Sequence, residues 1–194
     1  MIGVFRMVNI YESLKETILN GVPGDFVETG VWKGGACVLA NAVIHEFNEE
    51  ASRRVHVFDS FAGLPPPYMP QDKGDNHHSY SCLAIDLDTV KSVFNKYGYL
   101  TDNVIFRKGL FKDTMLETSD IEKIAVLRLD GDMYCSTIEV LNALYDKVQP
   151  GGIIIIDDWC LPGAKNAVLD FLVKRDICPQ LIRIDRCSCC WRKS

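Results

Sequence analysis

The sequence predicts an α/β protein built on a mostly parallel sheet with helices on both faces. Apolar runs of strand length alternate with helical patterns along almost the whole chain. The runs VHVFD, IEKIAVLRLD and GGIIIIDDW are dense in apolar residues, as strands covered on both faces are. Each run delivers an aspartate near its carboxyl end: Asp59, Asp130 and Asp157. The carboxyl ends of such strands are where ligands bind.

The elements follow in order. NIYESLKETILNG reads as a helix stopped by a glycine, and VPGD as a turn. DFVETG is a short strand that also stops at glycine, and GGACVLANAVIHEFN is a helix rich in alanine and apolar residues. VHVFD is the next strand. FAGLPPPYMPQDKGDNHHSY is crowded with proline, glycine and polar residues, and no regular element fits it. A loop of that length inside a compact domain is usually a lid, a binding loop or disordered, and residues 62–80 are expected to be an active-site loop. AIDLDTVKSVFNKYG reads as a helix, NVIFRKG as a strand and IEKIAVLRLD as a buried strand. STIEVLNALYDKV is a helix, GGIIIIDDW a buried strand and GAKNAVLDFLVKR a helix. LIRIDRCSCCWRK reads as two final strands joined by a turn. With no internal repeat or linker, residues 1–194 are expected to form one domain.

The chain has 194 residues, 47% hydrophobic and 24% charged, with a net charge of −5. That composition suits a globular protein with a sizeable core. No long basic run is present, which argues against nucleic acid or an anionic membrane as the main partner. A small molecule fits better. No apolar run approaches the roughly 20 residues that span a bilayer. The opening MIGVFRMVNIYESL lacks the pattern of a secretory signal, so a cytoplasmic location is expected. Most of the eight cysteines read as reduced, small apolar residues, and CSCC at 187–190 as alternating strand positions rather than a metal site. His45 and His56 read as structural, and His77 and His78 as a solvated loop pair.

Four motifs carry chemistry. In ETGVWKGGA a strand ends at Thr29, Gly30 begins a tight turn, and Gly34 and Gly35 allow backbone to approach a ligand. Glu28 would repel a pyrophosphate but suits an ammonium or a sulfonium. In FDSFAGLP, Asp59 stands about 20 to 30 residues after the glycine loop, the spacing at which an acid binds ribose hydroxyls. In VLRLDGDMYCST an apolar strand delivers Asp130, with Asp132 two residues on; Asp132 alternatively caps the next helix. The fourth motif is IIIIDDW. Two adjacent aspartates at the end of a buried strand either emerge at a surface or need a compensating charge. Asp130 and Asp157 end strands of one strand–helix–strand unit, so their carboxylates should lie close together. Asp130, Asp157 and Asp158 in one crevice suit a hard divalent cation with oxygen ligands, Mg²⁺. The alternative is that Asp157 and Asp158 cap the following helix.

Taken together, MIG with Arg6, GVPGDFVETGVWKGGA, VFDSFAGLP, KGLFKDT, LRLDGDMYCST, PGGIIIIDDW and the closing WRK resemble the macrocin O-methyltransferase family. The resemblance covers nearly the whole chain. It implies a class I methyltransferase, Rossmann-like fold with a seven-stranded sheet whose last strand is antiparallel. It implies S-adenosyl-L-methionine and Mg²⁺ as cofactors, a small-molecule hydroxyl acceptor such as a sugar or other diol, and a homo-oligomer. By the same resemblance, Glu28, Thr29, Gly30, Gly34 and Gly35 hold the methionine portion of the cofactor. Asp59, Ser60 and Phe61 hold the ribose and adenine side, and Gly109 and Phe111 close over adenine. Asp130, Asp157 and Asp158 match the metal ligands, Asp130 also serving catalysis, and Asp132 matches a general base. Two alternatives stay open. D-x-D after an apolar strand also marks phosphatases of the haloacid dehalogenase type, which would leave ETGVWKGG unexplained. A homologue that binds cofactor without turnover is the other.

Overall fold

The computed structural model describes residues 2–194. The elements run α1 (Val4–Leu19), β1 (Asp25–Thr29), α2 (Gly35–Glu46), β2 (Val55–Asp59), α3 (Leu87–Lys96), β3 (Val104–Lys108), α4 (Phe111–Thr114), β4 (Ile124–Leu129), α5 (Tyr134–Leu144), β5 (Val148–Ile156), α6 (Pro162–Lys174), β6 (Ile182–Arg183) and β7 (Cys189–Arg192). The strands form one seven-stranded sheet in the order β3-β2-β1-β4-β5-β7-β6. β7 runs antiparallel to both of its neighbours, and the other pairings are parallel. The sheet is the doubly wound, mostly parallel one expected from the alternating pattern.

Successive residues of a strand face opposite sides, so one apolar run feeds two cores. Ile153 and Ile155 pack with Phe26, Val57 and Val126 beneath α1, α2 and α3. Ile154 and Ile156 pack with Val27, Phe58 and Leu127 beneath α5 and α6. Each isoleucine so buried contributes about 1.5–3 kcal/mol relative to exposure. The closing CSCCW divides the same way: Cys190 joins the first core, while Cys189 and Trp191 join the second. All eight cysteines are free thiols.

Three elements depart from the sequence expectation. The first helix begins at Val4, before the expected Asn9; its exposed Val4 and Phe5 lie off the buried stripe of Ile10, Leu14 and Thr17. The long segment between β2 and α3 is not wholly irregular, because it contains single 3-10 turns at Pro70–Asp72, His77–Ser79 and Ser81–Leu83. The four-residue α4 is too short to leave a periodic signal. No described helix is long and apolar enough to cross a membrane.

Candidate active site

Strand parity and register assemble the charged centre. Glu28 on β1 stands opposite Arg128 on β4, and Arg128 opposite Ile155 on β5. Asp157, two residues past Ile155, therefore projects on the same side as Arg128, the side that α1 covers. Arg128 is 1% exposed. Its guanidinium ion-pairs with Glu28, with Asp157, and with Asp130 at 2.9 Å. Arg6 on α1 takes the other Asp157 oxygen and reaches Asp185 at 2.7 Å. A guanidinium is suited to this work because its fork of donors serves several oxygens at once.

The main chain brings the acids together. Asp130 N–H donates to the Thr29 carbonyl and Asp157 N–H to the Leu129 carbonyl, each at 2.9 Å. A Cβ on Gly30 would sit 1.8 Å from the Asp130 carbonyl oxygen, so only glycine lets the ends of β1 and β4 meet this closely. One carboxylate oxygen from each of Asp130, Asp157 and Asp158 lies within 4.8 Å of the others. Asp132 joins them at φ +58°, a backbone region that a non-glycine residue seldom adopts, and its N–H donates to Asp158 at 2.9 Å. Asp158 thus accepts from this turn and caps no helix.

Positive charge is in deficit here. Among the described residues, Glu28, Asp130, Asp132, Asp157 and Asp158 are met by two guanidiniums, Arg128 and Arg6, with His77 near Asp132. Burial pushes the Asp158 carboxyl well above its ordinary range, with Asp130 and Asp132 adding to the rise. Burial and then Asp130 raise Asp157 as well. Asp132 is pushed up to about 6 by burial first and Asp130 next. Glu28 is pushed up to about 7 by burial, against the pull of Arg128. Such a surplus of oxygen donors fits a hard divalent cation, and the residues present suit Mg²⁺.

The first loop and Asp59 form the neighbouring part. Asp59 accepts N–H bonds from Val31 and Phe61 at 2.8 Å and from Trp32 at 3.3 Å, which ties the β1 and β2 loops together. Burial raises its carboxyl and these donors oppose the rise. Ser60 Oγ donates to the Gly63 carbonyl at 2.5 Å. A single cavity is lined by Gly30, Asp59, Ser60, Gly109 and Phe111 together with Asp130, Asp132, Asp157 and Asp158.

The structure keeps other expected residues back from that cavity. Glu28 and Thr29 are 1% exposed and Phe61 is 5%. Glu28 is engaged by Arg128 and by the Cys37 thiol, which donates at 2.7 Å. Gly34 has φ +78°, and a Cβ there would press on Val90 and Phe94 of α3 at 2.9 and 3.0 Å. Helix packing by itself already requires glycine at this position. Gly35 has open space where a side chain would stand. Sequence reasoning gave no role to Arg128, Arg6, Asp72, Trp32 or Tyr68. Arg128 left a signal: one charge inside an apolar strand requires partners. The path of the long loop, which brings Asp72 and Tyr68 in, left none.

Comparison with known proteins agrees with this geometry. A family model described as macrocin-O-methyltransferase matches residues 1–193. The mycinamicin III 3''-O-methyltransferase of Micromonospora griseorubida is 41% identical over 200 residues, covering 100% of this chain and 78% of the relative. The demethyldecarbamoylnovobiocin O-methyltransferase of Streptomyces niveus is 42% identical over 199 residues, covering 100% and 75%. The solved structure of the O-methyltransferase NovP superposes with a TM-score of 0.94 at 41% identity, covering 100% of this chain and 81% of that one. These matches set aside the phosphatase alternative. The chain belongs to the macrocin O-methyltransferase family, and it is an enzyme of methyl transfer to oxygen.

Proposed function

We propose that the chain is an S-adenosylmethionine- and Mg²⁺-dependent O-methyltransferase acting on a hydroxyl of a sugar or other diol-bearing small molecule, in the tailoring of natural products. The observation that carries this reading is the opening of Asp130, Asp157 and Asp158 into the cavity that Gly30 and Asp59 also line. A relative named as a rhamnosyl-tetracenomycin-C 4'-O-methyltransferase supports the acceptor class.

When bound, the donor supplies an electrophilic methyl group on a sulfonium, and Mg²⁺ supplies positive charge that favours an ionised hydroxyl. Asp130, Asp157 and Asp158 would hold the ion. Arg128 and Arg6 fix the Asp157 carboxylate, and Arg128 also holds Asp130. Asp59, at the end of β2, would hold the ribose hydroxyls while anchoring the first loop through its backbone bonds. Glu28 acts from behind the wall by orienting Arg128. Asp132 would accept the hydroxyl proton; its raised affinity for a proton suits a base working near neutral pH. Holding donor and acceptor in line near 3 Å is the remaining task of the cavity walls.

The test is transfer of an isotopically labelled methyl group from S-adenosylmethionine to a panel of rhamnosides, other glycosides and catechols, with Mg²⁺ or with chelator. Labelled product that disappears with chelator is the expected result. Transfer that is indifferent to chelator removes the ion from the reading, and no transfer to any diol removes the acceptor class.

A further inference from the structure

Residues 60–86, between β2 and α3, supply Leu64, Pro65, Tyr68 and Leu83 to the cavity wall. Most of this segment is exposed, yet Asp72 within it is 3% exposed. A carboxylate taken out of water must find donors. Asp72 finds them at the start of α5: Oδ1 accepts the Tyr134 N–H at 2.7 Å and Oδ2 accepts the Cys135 N–H at 2.9 Å. The first N–H groups of a helix lack partners within it, and its N-terminal end favours negative charge. Met133 occupies the cap position of α5, and no cap-residue side chain bonds there, so Asp72 takes that place from a distant part of the chain. Gly163 of α6 keeps the space open, since a Cβ there would lie 2.9 Å from Tyr134 N and 3.3 Å from Asp72 Oδ1.

The turn immediately before α5 carries Asp132 in its left-handed conformation. A residue so placed persists only where its surroundings hold it. Asp158 takes the Asp132 N–H on one side, and Asp72 takes the N–H groups of Tyr134 and Cys135 on the other. The same Asp72 contact pins the middle of the long segment. Its far end is pinned by Trp32, whose ring N–H donates to the Cys82 carbonyl at 2.9 Å.

We propose that Asp72 is a positioning residue: by capping α5 from the loop, it fixes Asp132 and seats the Tyr68-bearing wall as one unit. This inference rests on the reading of Asp132 as the proton acceptor. Asp72 itself lies outside the set of cavity-lining residues and acts through the groups it holds.

The experiment compares the unsubstituted full chain with Asp72→Asn and Asp72→Ala. Asparagine keeps the size and one acceptor oxygen, whereas alanine leaves two buried N–H groups without partners. Amide hydrogen exchange, the dissociation constant of S-adenosylhomocysteine, and kcat and KM with the most rapidly methylated diol of the panel are measured. In Asp72→Ala, exchange should rise about tenfold or more in peptides covering 64–83 and 131–138, while α2 and β3 stay protected. kcat should fall on the order of a hundredfold, as misplacement by about 1 Å does, with S-adenosylhomocysteine affinity within about twofold. Asp72→Asn should lie between. Unchanged exchange and kcat in both variants would overturn the proposal. So would loss of protection across the whole sheet together with loss of S-adenosylhomocysteine binding, because that marks a role in general stability. If the unsubstituted chain methylates no diol, the proposed function fails, and exchange at the Tyr134 and Cys135 amides still decides the role of Asp72.

Discussion

Arg128 and Glu28 face each other across β4 and β1 and form an ion pair in which both side chains are almost fully buried. The pair lies directly behind the acid cluster, because the same guanidinium also holds Asp130 and Asp157. Removing one member of a buried pair leaves the other charge uncompensated. Arg128→Met should therefore destabilise the protein by about 3–5 kcal/mol. Adding Glu28→Gln should recover part of that loss, and urea unfolding of the single and double variants checks it.

Asp157→Asn should abolish the stabilisation that Mg²⁺ gives the protein in thermal unfolding. Affinity for S-adenosylhomocysteine should stay close to that of the unsubstituted chain, because Asp59 and the first loop lie over β1 and β2. An equal Mg²⁺ response in the variant would remove Asp157 from the ligand set.

Asp59→Ala removes the acceptor for the Val31, Trp32 and Phe61 N–H groups along with the expected ribose contact. Losing one ribose hydrogen bond to a charged group, about 1.5–3 kcal/mol, predicts affinity for S-adenosylhomocysteine lower by about tenfold to a hundredfold. Calorimetry reads this directly, and unchanged affinity would refute the ribose assignment.

The raised carboxyls make stability depend on pH with a definite sign. Glu28 and Asp132 bind protons more tightly folded than unfolded, at about 7 and about 6 against 4.5 and 3.8. The unfolded chain releases those protons first as pH rises, so the cation-free protein loses stability from the ordinary carboxylate range up to about 7. Asp185, Asp146 and Asp120 have depressed values, so their opposing effect lies lower, in acid. Melting of the chelator-treated protein should thus come earlier near pH 8 than near pH 6 (the two conditions bracket about one unit around neutrality). Mg²⁺ should narrow that difference, and a higher melting point at the alkaline pH without the ion would contradict the charge deficit.

How much of this was legible in the sequence follows from the range of each interaction. The isoleucines at 153–156 and the acids after them show burial ending at a crevice, and register alone then brings Asp157 beside Asp130. Arg128 was readable in the same way, as the one charge in IAVLRL opposite the strand that carries Glu28. Gly34 is ambiguous in sequence, because a glycine needed against Val90 and Phe94 looks the same as one needed by a ligand. Asp72 could not be found, since its partners lie 62 and 63 residues away and are backbone groups that no side-chain pattern marks. The start of α1 was hidden because Val4 and Phe5 are exposed and so break the helical stripe.

The most direct test of the central claim is calorimetric titration of the chain with S-adenosylhomocysteine, with Mg²⁺ and with chelator. Binding in about the micromolar range, some −8 kcal/mol, is expected in both conditions, with a separate Mg²⁺ binding event that Asp157→Asn eliminates. No S-adenosylhomocysteine binding in either condition would contradict it.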